Sequence, residues 1–273
     1  MAMLLAGLRV IHLGPTLAVV TLSAILGWIL LAQAGLQLDQ RWLLTVVSIA
    51  GSQVFTGATN DIVDRRRDQV AGRSEKPIAA GQLSPGAAAW IASVGLAAQL
   101  AASSRLGALP LGLGAAAVTS AALYNLFLSR TPLSPIPYLV SFGLLPLWIV
   151  AGLGLPLERV AAAVPLAALF AASAHLANTL RDFDGDRLAG SRTLAQLLGP
   201  ERTHRLALGL ALVVGVSVGA ALWFGGQAGP PSLALGAAGL LVVGFGARSA
   251  RGLWAGMLIA AVCWTAAWGL ATG

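Results

Sequence analysis

The chain has 273 residues, is 57% hydrophobic, has only 10% charged residues and a formal net charge of +7, with a mean hydropathy of +0.81. Soluble domains carry roughly 25% charged residues, so this composition excludes that class and predicts an all-α polytopic membrane protein. The alternation of barrel strands is missing, and so is a basic soluble face that would engage nucleic acid; no nucleic-acid partner is expected.

Met1 to Val10 is apolar around Arg9, and no cleaved leader is expected because spanning segments follow at once. Apolar runs at 11–33, 42–60, 86–103, 107–128, 136–154, 159–180, 204–224, 231–247 and 253–271 predict about nine transmembrane helices in a single bundle around a central cavity. Pro and Gly mark the gaps, as at Ser84-Pro85, Thr131-Pro132, Gly154, Gly199-Pro200 and Gly229-Pro230. With the N-terminus in the cytoplasm, all Lys and Arg except Arg41, Arg105 and Arg159 fall on the cytoplasmic side. That bias supports a cytoplasmic N-terminus and an odd number of spans, and it explains the positive charge without any partner but lipid. The lone Cys263 lies mid-span and reads as a small buried hydrophobe.

Most of the acid in the chain is concentrated at two places. The second span ends in Asn60-Asp61-Ile62-Val63-Asp64-Arg65-Arg66-Arg67-Asp68, and the sixth in Asn178-Thr179-Leu180-Arg181-Asp182-Phe183-Asp184-Gly185-Asp186. Both lie at the expected cytoplasmic end, and each precedes a basic loop containing glycine. This echo predicts one transmembrane domain over 1–273 built from two pseudo-equivalent halves, roughly 1–130 and 131–273.

Carboxylates beside a membrane are costly unless something holds them there. On a continuing helix Asp61, Asp64 and Asp68 share one face, as do Asp182 and Asp186, with Asp184 pointing elsewhere. Like charges so spaced repel one another, and Mg²⁺ reverses the sign by taking carboxylate and phosphate oxygens together. Asn60 and Asn178 add neutral oxygens. Arg73, Lys76, Arg130, Arg181 and Arg192 lie on the same side, where they could clamp the free oxygens of a diphosphate. The plainer alternative makes the acids polar helix ends and the basic residues surface anchors. His175, seven residues before Asp182, and His12, near Pro15 and Thr16, could orient an acceptor or act as interior hydrogen-bonding groups.

The pattern at 60–68, followed by Lys76-Pro77-Ile78-Ala79-Ala80-Gly81, resembles the first signature of the UbiA-type intramembrane prenyltransferases. The stretch 181–187, with Gly190 and Thr193-Leu194, resembles their second, and Tyr124 with Arg130 resembles their tyrosine-plus-basic element. The resemblance implies that Asn60, Asp61, Asp64 and Asp68 bind one Mg²⁺ and Asp182 and Asp186 another. Asp64, Asp68, Asp182 and Asp186 would then be catalytic, and Lys76, Arg73, Arg130, Arg181 and Tyr124 would bind the diphosphate of an isoprenyl donor. It further implies prenyl transfer to an aromatic or other lipophilic acceptor within the membrane. Related enzymes that cyclise the isoprenoid alone, and an ion-coupled carrier of a different class, are the alternatives. The loop at 69–84 is a candidate lid that keeps water from the allylic cation. Two departures stand out: Lys76 occupies a position where arginine is common, and Arg130 follows Tyr124 by six residues, more than the family spacing.

Overall fold

The computed structural model describes residues 2–226 and 228–271, and every regular element among them is helical. Helix α1 (Ala2–Val10) and α2 (Leu13–Gln33) are separated by a break at His12. They are followed by α3 (Gln40–Val70), α4 (Pro85–Leu106) and α5 (Ala108–Leu123), the last running into a π-helical turn at Tyr124–Leu128. Next come α6 (Pro135–Leu153), a 3₁₀ turn at Leu157–Val160, α7 (Ala163–Arg181), and the short α8 (Phe183–Leu188) and α9 (Leu194–Leu198). The chain closes with α10 (Pro200–Phe224), α11 (Pro230–Gly246) and α12 (Ala250–Ala271).

Among the described residues eight stretches are long and apolar enough to cross a membrane, and α11, with 17 residues, is a shorter apolar ninth. The spans expected from hydropathy are therefore present, with one informative difference. Helix α3 does not stop near residue 60 but continues to Val70, so the whole first acidic cluster is helical. Start signals are local. The Ser84 hydroxyl accepts from the Ala87 amide at 3.1 Å ahead of Pro85, and the Asp39 carboxylate accepts from the Trp42 amide at 3.0 Å.

Consecutive long helices pack against one another, and α12 returns to α2, closing the bundle. Helix association in lipid depends on close approach of small residues. At the α3–α4 crossing a Cβ on Gly51 would lie 2.5 Å from the Gly95 carbonyl oxygen, so the two backbones touch. The α2–α12 closure lies at the end remote from the acids, where a Cβ on Gly269 would lie 2.5 Å from Ile29 Cδ1. Trp148, Ile149, Leu30 and Ile49 fill that remote end. A second core of Trp264, Met257, Leu253 and Val214 joins α7, α10, α11 and α12. The opposite end of the bundle, where α3, α5 and α7 finish and α2, α6 and α12 begin, carries the charge.

Candidate active site

The continuation of α3 carries Asp61, Asp64 and Asp68 down one face, and all three are buried. Each is met by a basic group. Asp61 Oδ1 accepts from Lys76 Nζ at 2.6 Å and lies 2.7 Å from His12 Nε2. Asp64 Oδ1 accepts from Arg130 Nη2 at 2.9 Å. Asp68 Oδ1 lies 3.7 Å from Arg73 Nε, too long for a hydrogen bond. Asn60 donates to Asp64 Oδ2 at 3.3 Å and to Asn125 Oδ1 at 3.4 Å.

The second cluster begins where α7 ends. Asp182 sits at the junction, its φ and ψ of −99° and 12° leaving the helix, and α8 resumes at Phe183. The Asp186 amide still donates to the Asp182 carbonyl at 2.9 Å, so the helical i, i+4 relation survives the kink. Asp186 is buried, whereas Asp184 is exposed and faces away, as the spacing predicts. Burial raises the Asp186 carboxyl above its ordinary range; the Arg67 guanidinium is the largest influence opposing that shift.

Arg67 joins the two clusters. Its Nη2 lies 3.5 Å from Asp186 Oδ1 and its Nη1 4.0 Å from Asp64 Oδ1, so α3 and α8 face each other across one guanidinium. The loop after α3 is a packed arm: Ile78 and Leu83 are buried against Ala58, Ala88 and Ala92, which brings Lys76 onto Asp61. On the apolar side, Tyr124, Tyr138, Phe142 and His175 form an aromatic cluster. Tyr138 stacks on His175 at 4.3 Å between centroids and meets Tyr124 edge-on at 5.2 Å. His175 Nε2 lies 3.0 Å from Ser134 Oγ, the interior hydrogen bond anticipated for it.

Arg181 turns to its neighbour, with Nε and Nη2 both 3.2 Å from the Asp182 carboxylate and the guanidinium 4.9 Å over the Trp254 ring. Arg192 sends its amide to the Arg130 carbonyl at 3.0 Å and leaves its side chain exposed. The sequence left Arg67 open to charge pairing without giving it a partner, and it did not point to Asn125 or to the contact made by His12. The i, i+3 spacing of Asp64 and Arg67 was the available signal for the first. A groove of about 770 Å³ beyond α8, lined by Phe183, Asp184, Arg187 and His204, contains none of the buried carboxylates and is separate from this site.

Among the described residues no three His, Cys, Asp or Glu side chains converge into a ready-made metal shell, because basic groups occupy the carboxylates. The donor chemistry nevertheless fits a hard cation. Asp61 Oδ2 and Asp68 Oδ1 are buried without a hydrogen-bond partner, and the available donors are carboxylate and amide oxygens. Unsatisfied buried carboxylate oxygens are costly, and a cation relieves that cost.

The profile of the UbiA prenyltransferase family matches residues 18–254. The chain belongs to this family. No curated protein sequence matches it. Solved structures agree on the fold. A UbiA homologue from Archaeoglobus fulgidus bound to GPP and Mg²⁺ is 17% identical, with a TM-score of 0.72 and coverage of 98% of this chain and 99% of that one. A UbiA homologue from Aeropyrum pernix K1 is 19% identical, with a TM-score of 0.73 over 92% of this chain and 96% of that one. A digeranylgeranylglyceryl phosphate synthase structure is 15% identical, with a TM-score of 0.73 over 99% of both chains. This UbiA-family chain is accordingly an integral membrane protein.

Proposed function

We propose that this chain is a Mg²⁺-dependent membrane prenyltransferase that moves a prenyl group from an isoprenyl diphosphate to a lipophilic acceptor. The observation that carries the reading is Arg67 spanning Asp64 and Asp186, which sets two carboxylate clusters from separate helices around one polar space. Family membership and the relatives bound to GPP or DMAPP with Mg²⁺ support it. A carrier would place its acids at mid-depth; here they lie in the last turns of α3 and beyond α7.

Asn60, Asp61, Asp64 and Asp68 would hold one Mg²⁺, and Asp182 and Asp186 a second. Bound there, Mg²⁺ neutralises the charge that develops on the departing diphosphate. Arg130, Lys76 and Arg73 already lie on the carboxylates and supply donors to diphosphate oxygens, with Arg181 at the margin. The allylic C–O bond breaks and diphosphate leaves with the electron pair. The resulting cation then bonds to an electron-rich acceptor atom, which gives up a proton. The aromatic cluster around Tyr124 forms an apolar wall beside the polar space and excludes water. The prenyl tail would lie among the apolar helices of the bundle.

The charge asymmetry along the sequence supports a cytoplasmic location for this end and for the N-terminus. The return of α12 to α2 supports treating 1–273 as one domain, its two halves each contributing one acidic cluster.

The test is Mg²⁺-dependent diphosphate release from labelled farnesyl and geranylgeranyl diphosphate, using membranes of wild type and Asp64→Asn, with and without an acceptor pool. Release by wild type and loss by at least about 100-fold in the variant are expected, the scale of removing an electrostatic group from a reaction centre. Prenylated acceptor in the organic extract marks transfer, and hydrocarbon formed without acceptor marks cyclisation instead. Release that ignores both the metal and the substitution would overturn the reading.

A further inference from the structure

His12 is the only non-glycine residue at positive φ among those described, with φ 52° and ψ 59°. It sits at the break between α1 and α2, and the surroundings are built to hold that break. A Cβ on Gly57 of α3 would lie 2.8 Å from both the carbonyl carbon and the oxygen of Ile11, so only glycine lets the break approach α3. The Thr16 hydroxyl donates to the Ile11 carbonyl at 2.7 Å, satisfying the oxygen that the break exposes. Gly57 lies one helical turn before Asp61, so the break is keyed to the turn that carries this carboxylate.

The result is a tight triangle. His12 Nε2 is 2.7 Å from Asp61 Oδ1, Lys76 Nζ is 2.6 Å from the same oxygen, and the two nitrogens are 3.0 Å apart. An ionised carboxylate only accepts hydrogen bonds, so both nitrogens donate to Oδ1 and the imidazole carries its proton on Nε2. Asp61 Oδ2 is left buried without a partner. One oxygen is thus pinned and the other is kept free.

We infer that His12 is a positioning residue: its imidazole, with Lys76, fixes Asp61 through Oδ1 so that Oδ2 is held available to the cation. The inference rests on the metal-site reading above. A ligating carboxylate is commonly oriented by such outer hydrogen bonds, and their loss typically weakens metal binding by about 10–100-fold. The strained backbone serves the same end, because the left-handed conformation at the break brings the ring to α3.

The experiment separates the ring from the backbone. The full chain is purified in detergent, and Mn²⁺ binding in the presence of inorganic diphosphate is followed by electron paramagnetic resonance. His12→Gly removes the imidazole while suiting φ 52°, so the fold is retained; melting in EDTA checks this. His12→Asn keeps a donor on a residue type that tolerates the left-handed region. The expected result is an Mn²⁺ dissociation constant about 10-fold higher for His12→Gly, substantially restored by His12→Asn. Unchanged Mn²⁺ affinity in a folded His12→Gly protein overturns the positioning role and leaves the metal site standing. If His12→Gly melts early, equal affinities for His12→Asn and His12→Ala overturn it instead. Absence of saturable Mn²⁺ binding in wild type, matched by Asp64→Asn, overturns the site reading and this inference together.

Discussion

Arg67 is the group whose removal tests the geometry most directly. In Arg67→Ala, Asp186 loses a guanidinium at 3.5 Å and Asp64 one at 4.0 Å. At an effective dielectric of about 20, each attraction is of order 4–5 kcal/mol before desolvation of the arginine is set against it. Stripping one partner from a buried pair costs about 3–5 kcal/mol. The Arg67 side chain is 20% exposed, and partial solvation brings the expected loss to about 2–3 kcal/mol. At about 2–4 °C per kcal/mol, metal-free Arg67→Ala melts roughly 5–10 °C below wild type at neutral pH. The pH dependence has a definite sign. Burial already lifts the Asp186 carboxyl above its ordinary value, and losing Arg67 lifts it further. The folded variant then keeps a proton that its unfolded chain releases, so its deficit is full above the raised folded value and shrinks as pH falls through it. Mg²⁺ with inorganic diphosphate should close most of the neutral-pH gap by supplying the missing positive charge. The assay is thermal unfolding in detergent at two pH values, each with EDTA and with Mg²⁺–diphosphate. A deficit of the same size in all four conditions would refute the placement of Arg67 between the two clusters.

Two further predictions concern the scaffold and the arm. Gly51→Ala forces α3 away from α4, because its Cβ would lie 2.5 Å from the Gly95 carbonyl oxygen; overpacking of this kind costs about 1–3 kcal/mol. Gly209→Ala on α10 meets nothing within 4 Å, so melting curves should show loss at the first position and none at the second; equal behaviour would contradict the packing. Ile78→Ala loosens the buried anchor of the arm that carries Lys76. Product analysis should then show a larger share of prenyl alcohol relative to transfer product, and an unchanged ratio would rule out a water-excluding role for the arm.

Hydropathy located the spans because lipid leaves the backbone no alternative to internal hydrogen bonding. It marks the end of the span and not of the helix: apolarity stops near residue 60, whereas α3 continues to Val70, as the face shared by Asp61, Asp64 and Asp68 requires, through its own backbone hydrogen bonds and the Gly57, Ala58 and Ile62 contacts. Acid spacing on α3 was legible because helical periodicity fixes which residues share a face. Which cation meets which acid was not, since Lys76 reaches Asp61 only through the fold of the arm, and His12 only through a backbone conformation that no sequence periodicity encodes. The second cluster kept its i, i+4 relation despite a break at Asp182 that hydropathy does not register.

The six-residue interval between Tyr124 and Arg130 shows how a departure in sequence is absorbed by local structure. On a regular α-helix six residues are about one and two-thirds turns, which would carry Arg130 off the face bearing Tyr124. The chain does not continue as an α-helix there. The Ser129 amide donates to the Tyr124 carbonyl at 2.8 Å, an i to i+5 bond that widens the turn. Within that turn Asn125 points back to α3, donating to the Thr56 carbonyl at 2.9 Å and to Thr59 Oγ1 at 3.0 Å. The helix then ends, the Thr131 amide closes on the Leu128 carbonyl at 3.0 Å, and the Arg130 carbonyl is held by the Arg192 amide. These bonds fix the chain on both sides of Arg130 while its guanidinium reaches Asp64 at 2.9 Å. Tyr124, as the first residue of the turn, stays among Tyr138 and His175. The wider spacing therefore lets Arg130 reach Asp64 while Tyr124 stays in the aromatic cluster, because the π-turn and the helix end together take up the additional residues.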